Sequence, residues 1–172
     1  VKALPDLASK GCMREQTVIG RNTGVYDGQP YGGYYTQEDC REIVSYAAER
    51  YIKVIPEIDM PGHMQAALHV YPRLGCTGGP YPVWQVWGIS DDVLCAGNPK
   101  TLEFLKTVYG ELCDIFPSKL IHIGGDESPR VRWKACPKCQ AKLKELGLSN
   151  EAQLQTYINK EMEAFLAGKG RR

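Results

Sequence analysis

The sequence predicts an α/β fold in which parallel strands are joined by right-handed crossover helices. Three observations carry that expectation. Two short, β-branched runs, residues 52–59 and 120–123, each end in a glycine-containing loop. Around them lie segments whose apolar residues recur at helical spacing. The resulting order is helix, strand, long loop and helix, strand, helices. Two parallel strands leave faces and edges without partners, so the pattern looks like the middle of something larger.

Residues 1–33 carry little periodicity and read as a connecting segment, with a short strand at 17–19. A helix is expected over 37–50. Thr36 followed by Asp39 resembles a capping box, and Cys40, Ile43, Val44, Ala47 and Tyr51 mark its apolar stripe. The run 52–59 then reads as a strand, with Pro56 near its end because proline cannot donate to a ladder. A short helix over 66–71 stops at Pro72, and 75–97 is a long loop bearing Trp84 and Trp87. Asn98-Pro99 supplies a cap and a first-turn proline for a helix whose stripe is Leu102, Leu105, Val108, Tyr109 and Leu112. After the second strand, helices are expected over 137–146 and 151–166.

Composition limits the function. Of 172 residues, 21 are Lys or Arg and 20 Asp or Glu, a net charge of +1 that gives no electrostatic case for nucleic acid. No apolar run approaches the ~18–20 residues of a membrane span, and no signal-peptide pattern opens the sequence. Seven cysteines form no dense framework. Cys40 and Cys113 fall on apolar helix faces as buried free thiols, and Cys76 and Cys95 flank a loop that a disulfide could staple. Cys136 and Cys139 make a CxxC without a second pair, which reads as a helix-start turn; no metal or other cofactor is expected.

Chemistry concentrates at the two strand ends, where parallel α/β architectures build their sites. Asp126 and Glu127 follow Gly124-Gly125. Two adjacent carboxylates at a frayed strand end can be aimed at one cavity, with environments that separate a proton donor from an ionised partner. A solvated acidic loop, or a helix start with carboxylates at its positive end, is the simpler explanation of a bare Asp-Glu pair taken alone. Glu57 and Asp59 are two apart and share a face, and Pro61-Gly62-His63 follows. This places His63 where it can meet Glu127 as a proton partner. His122 belongs to the inward-facing layer, as packing or as support for the site.

The stretches Tyr34-Tyr35-Thr36-Gln37-Glu38-Asp39, Val54-Ile55-Pro56-Glu57-Ile58-Asp59-Met60-Pro61-Gly62-His63 and His122-Ile123-Gly124-Gly125-Asp126-Glu127 resemble glycoside hydrolase family 20, the β-N-acetylhexosaminidases, in order and spacing. Leu94-Cys95-Ala96-Gly97-Asn98-Pro99, Trp133 and Leu154-Gln155 fit the same resemblance, and Tyr51 stands where the family often has Gly. The resemblance implies a partial (β/α)8 TIM barrel, with residues 1–172 a portion of one catalytic domain covering about its third and fourth strand units. It implies removal of terminal N-acetylglucosamine or N-acetylgalactosamine by a retaining, substrate-assisted route, an exception to the two-carboxylate rule. Glu127 is then the general acid/base, Asp126 orients the substrate's acetamido group, His63 tunes or relays the proton, and Glu57 and Asp59 support the site. The resemblance also implies a periplasmic, secreted or lysosomal location. A full barrel takes about 250 residues and eight strands, so self-association through exposed strand edges is expected of this portion. The rival expectations are a non-catalytic module that binds glycans or another chain, and a metal or redox protein using Cys136 and Cys139.

Overall fold

The computed structural model describes all of residues 1–172. In chain order the elements are α1 (Asp6–Ser9), β1 (Met13–Arg14), β2 (Tyr31–Gly32), α2 (Gln37–Ala48), α3 (Gln65–Val70), a 3-10 turn (Pro72–Leu74), α4 (Pro99–Ile115), α5 (Val131–Ala135), α6 (Pro137–Glu145) and α7 (Glu151–Gly168). The chain is mostly helical. Strands β1 and β2 pair antiparallel within the connecting segment. The strand expected at 17–19 is reduced to one antiparallel bridge, Val18 to Tyr26.

The two principal strands are present as direction but not as ladder. Residues 52–59 and 120–123 run parallel and meet through a single bridge, Glu57 to His122. His122 N–H donates to Pro56 O at 3.0 Å, and Ile58 N–H donates to His122 O at 3.3 Å. Pro56 has no N–H to return, and Gly124 turns away in the left-handed region at φ +63°, so pairing cannot extend in either direction. On the other side of Leu120, Arg172 exchanges hydrogen bonds with Lys119 and Ile121.

Helix starts follow the sequence closely. Thr36 caps α2 and Asp39 reciprocates in a complete capping box. The Thr36 hydroxyl and N–H hold the Asp39 carboxyl below its ordinary range. The Asn98 side chain accepts from Lys100 N–H at 3.0 Å, and Pro99 opens α4. The end of α2 has Schellman geometry: Ile52 N–H reaches Ala47 O and Tyr51 N–H reaches Ala48 O. This puts Tyr51, fully exposed, at φ +59° where glycine is preferred.

The core sits between α4 and α7, closed by α3, α5 and the loop 75–97. Phe104, Leu105, Val108 and Tyr109 of α4 face Leu154, Ile158, Met162 and Leu166 of α7, with Trp133 of α5 fully buried. Helix α5 has no counterpart in the sequence expectation. Five residues are too few for periodicity to register. Two further expectations need correction. Of the α2 stripe only Ala47 is buried, because the face carrying Ile43, Tyr46 and Tyr51 has no partner within these residues. The CxxC is not isolated: Cys76 and Cys95 reach Cys136 and Cys139, all four as free thiols, and no disulfide staples the loop.

Candidate active site

The site is assembled from the ends of the two parallel runs. Along residues 57–59 alternate side chains point to opposite faces. Ile58 turns toward the core, where its carbonyl accepts from the Tyr109 hydroxyl at 2.5 Å. Burial, with the carboxylates of Asp59 and Glu57 nearby, pushes the Tyr109 phenol up, so it remains a neutral donor. Met60, Pro61 and Gly62 are buried, and Pro61 O accepts from Leu94 N–H at 3.0 Å. The chain is thereby fixed on both sides of Asp59.

Asp59 in turn fixes the second run. Its Oδ1 accepts from Gly125 N–H at 2.8 Å. A Cβ on Gly124 would lie 1.9 Å from that same oxygen, so only glycine permits the approach. Gly125 O accepts from Gln155 Nε2 at 2.5 Å, and Gln155 Oε1 from Arg130 Nη2 at 3.0 Å. The glycine turn is held from one side by a strand-end carboxylate and from the other by α7.

The outcome is a carboxylate–imidazole cluster. His63 Nε2 lies 3.3 Å from Glu127 Oε2 and 3.9 Å from Asp59 Oδ2. Both His63 (φ +52°) and Glu127 (φ +44°) occupy the left-handed region, which costs a non-glycine residue roughly 1–3 kcal/mol and persists where surrounding contacts over-determine the backbone. A second pair stands beside the first, with His122 Nδ1 at 2.9 Å from Glu57 Oε1. A protonated imidazole nitrogen between two carboxylates can hand a proton to one while the other holds its orientation.

Of the six residues singled out from sequence, Glu127, His63 and Asp59 come together, and Glu57 and His122 form their own pair. Asp126 takes part in neither; its side chain is exposed on the same turn. His122 is not enclosed: its side chain is 61% exposed, since only one neighbouring run covers that edge in these residues. The positioning roles of Tyr109 and Arg130 escaped the sequence reading. Tyr109 was legible only as one apolar residue of a helix stripe, and Arg130 carried no pattern. Gln155 was visible as part of a motif, but its reach to Gly125 spans 30 residues.

A cluster of this kind at the carboxyl ends of parallel segments marks the catalytic domain of an α/β enzyme class, in keeping with a TIM-barrel-type architecture in its relatives. The profile described as glycosyl hydrolase family 20, catalytic domain, matches residues 1–172. A β-hexosaminidase of Porphyromonas gingivalis is 45% identical over 156 residues, covering 91% of this chain and 20% of that protein. The crystal structure of a β-N-acetylhexosaminidase superposes with a TM-score of 0.91 at 37% identity, covering 99% of this chain and 35% of that one. An exo-β-N-acetylglucosaminidase from Vibrio harveyi, solved with N-acetylglucosamine, gives 0.81 at 34% identity, covering 100% and 27%. The chain belongs to glycosyl hydrolase family 20. It spans between a fifth and about a third of the length of these relatives.

Proposed function

We propose that this chain supplies the acid/base side of a β-N-acetylhexosaminidase that removes terminal N-acetylglucosamine or N-acetylgalactosamine from glycans. The observation that carries the reading is the 3.3 Å approach of His63 Nε2 to Glu127 Oε2, with Asp59 behind both. Glu127 protonates the leaving oxygen and later deprotonates the attacking water. His63 holds and relays that proton. Asp126, adjacent and outside the imidazole pair, is free to face the substrate's acetamido group, orienting its carbonyl oxygen for attack on the anomeric carbon. The intermediate is an oxazolinium ion and the configuration is retained. Because the nucleophile belongs to the substrate, the two carboxylates need no gap between them for a water or a covalent sugar.

On this reading residues 1–172 form about the third and fourth strand units of one (β/α)8 domain, with 1–33 a connecting segment. The single parallel bridge between residues 57 and 122 and the unpartnered face of α2 support it. The same reading takes the enzyme to the periplasm, the cell exterior or the lysosome.

The deciding experiment is Glu127→Gln in the complete catalytic domain. Hydrolysis of an N-acetylglucosaminide with a poor leaving group is expected to fall by about 10²–10⁴-fold, the usual contribution of general acid/base catalysis. Near-wild-type turnover refutes the role. The exposure of Glu127, 55% of its side chain, also suits a second reading in which these residues alone bind glycans or a second copy without turning substrate over. Activity of the 172-residue chain on a chromogenic N-acetylglucosaminide separates the two.

A further inference from the structure

Four cysteines from three separate places in the sequence converge behind the site. Cys76 opens the loop 75–97 and Cys95 closes it; Cys136 precedes α6 and Cys139 lies in its first turn. Cys95, Cys136 and Cys139 are buried and Cys76 is half-buried. Their sulfurs all lie within 4.8 Å of one another. Cys95 Sγ is 3.6 Å from Cys139 Sγ and 3.8 Å from Cys136 Sγ, and Cys139 Sγ is 3.8 Å from Cys76 Sγ. We infer that Cys76, Cys95, Cys136 and Cys139 form a structural zinc site that clamps the loop 75–97 onto the start of α6.

The spacing is what a metal requires. A zinc ion about 2.3 Å from each of four thiolates sets neighbouring sulfurs ~3.8 Å apart along the edges of a tetrahedron. A disulfide needs ~2.05 Å and draws sulfurs together in pairs. Here Cys95 approaches both Cys139 and Cys136, and Cys139 both Cys95 and Cys76, at 3.6 to 3.8 Å, so neither sulfur is confined to one partner. Four soft thiolates in a closed tetrahedron select zinc over the oxygen-seeking cations. With all four positions filled by sulfur, no place is left for water or substrate, which makes the site structural.

The surroundings are built for it as well. A Cβ on Gly97 would fall 2.1 Å from the carbonyl carbon and oxygen of Lys138, so a glycine is needed for the two cysteine turns to pack back to back. Cys136 occupies the N-cap of the nine-residue helix α6 without capping it, leaving its sulfur to the cluster at the helix's positive end. The clamp is mechanically continuous with the site. Cys95 N–H donates to Leu74 O, while Leu94 donates through its N–H to Pro61 O and accepts from Trp133 Nε1. Pro61 is two residues from His63. The zinc therefore braces the backbone on which the imidazole stands, and it does so whether or not the chain is a hydrolase.

The test is made on the complete catalytic domain, purified without chelator or added metal. Elemental analysis is expected to give about one zinc per chain. Alkylation followed by peptide mass spectrometry should find Cys76, Cys95, Cys136 and Cys139 protected until a chelator is added and reactive afterwards. Cobalt exchanged into the site should give the intense visible absorption of tetrahedral thiolate coordination. Cys139→Ser should lose most of the zinc, whereas Cys40→Ser should keep it. Absence of stoichiometric metal, recovery of these cysteines as disulfide-linked peptides, or iron in place of zinc each overturns the assignment, and none depends on a variant folding.

Discussion

Helices α2 and α4 are announced in the sequence by the same kinds of signal: a side-chain cap and an apolar stripe at helical spacing. Their fates differ. Helix α4 buries Thr101, Phe104, Leu105, Val108, Tyr109 and Cys113, whereas α2 buries only Ala47. An amphipathic face states a demand for a partner without supplying one. Helix α4 packs on α7 and touches α2 on another side; α2 presents Ile43 and Tyr46 to solvent, beside the exposed Tyr34 and Tyr35. The site lies along the boundary between these regions. Its two backbone turns, at Pro61 and at Gly124-Gly125, are hydrogen-bonded to the buried side.

The comparison breaks if the buried side proves dispensable. Trp133→Ala removes a fully enclosed indole and its hydrogen bond to Leu94 O, and is expected to cost about 3–5 kcal/mol in urea-induced unfolding. A loss under 1 kcal/mol would mean that the packing around α5 does not carry this half. Tyr109→Phe sharpens the link from core to site. It deletes only the hydroxyl that meets Ile58 O, and should cost roughly 1 kcal/mol while lowering kcat in the complete enzyme more than it changes KM. An unaltered kcat would separate the strand end from the chemistry.

On the open side burial offers little to lose, and the lever is the backbone instead. Tyr51→Gly relieves a left-handed tyrosine whose side chain touches nothing, and should stabilise the chain by about 1 kcal/mol in the same unfolding experiment. Destabilisation would show that this ring is held by contacts that α2 acquires elsewhere in the complete domain.

How much was legible follows from where each determinant resides. Thr36 with Asp39 and Asn98 with Lys100 act across two or three residues, so their helices could be placed from the sequence. The motif residues His63 and Glu127 were legible as chemistry because a glycine pair and a Pro-Gly turn mark strand ends. The expected ladder was not delivered, since Pro56 lacks a donor and Gly124 turns the second run away. The cysteines illustrate the limit best. A CxxC shows half a site, and nothing in the loop 75–97 says where its two thiols will go.

The amino-acid order alone settled the longer helices α2, α4, α6 and α7, the caps of α2 and α4, and the pairing of acidic residues with glycine turns, because each depends on groups within a turn or two of one another. Only the folded chain decided that Asp59 would grip Gly125 across 66 residues and that Cys76 would reach Cys139 across 63. Such contacts depend on how α4 and α7 pack and on where the loop between Gly75 and Gly97 lies. Packing is a property of surfaces brought together, and no local pattern encodes which surfaces will meet.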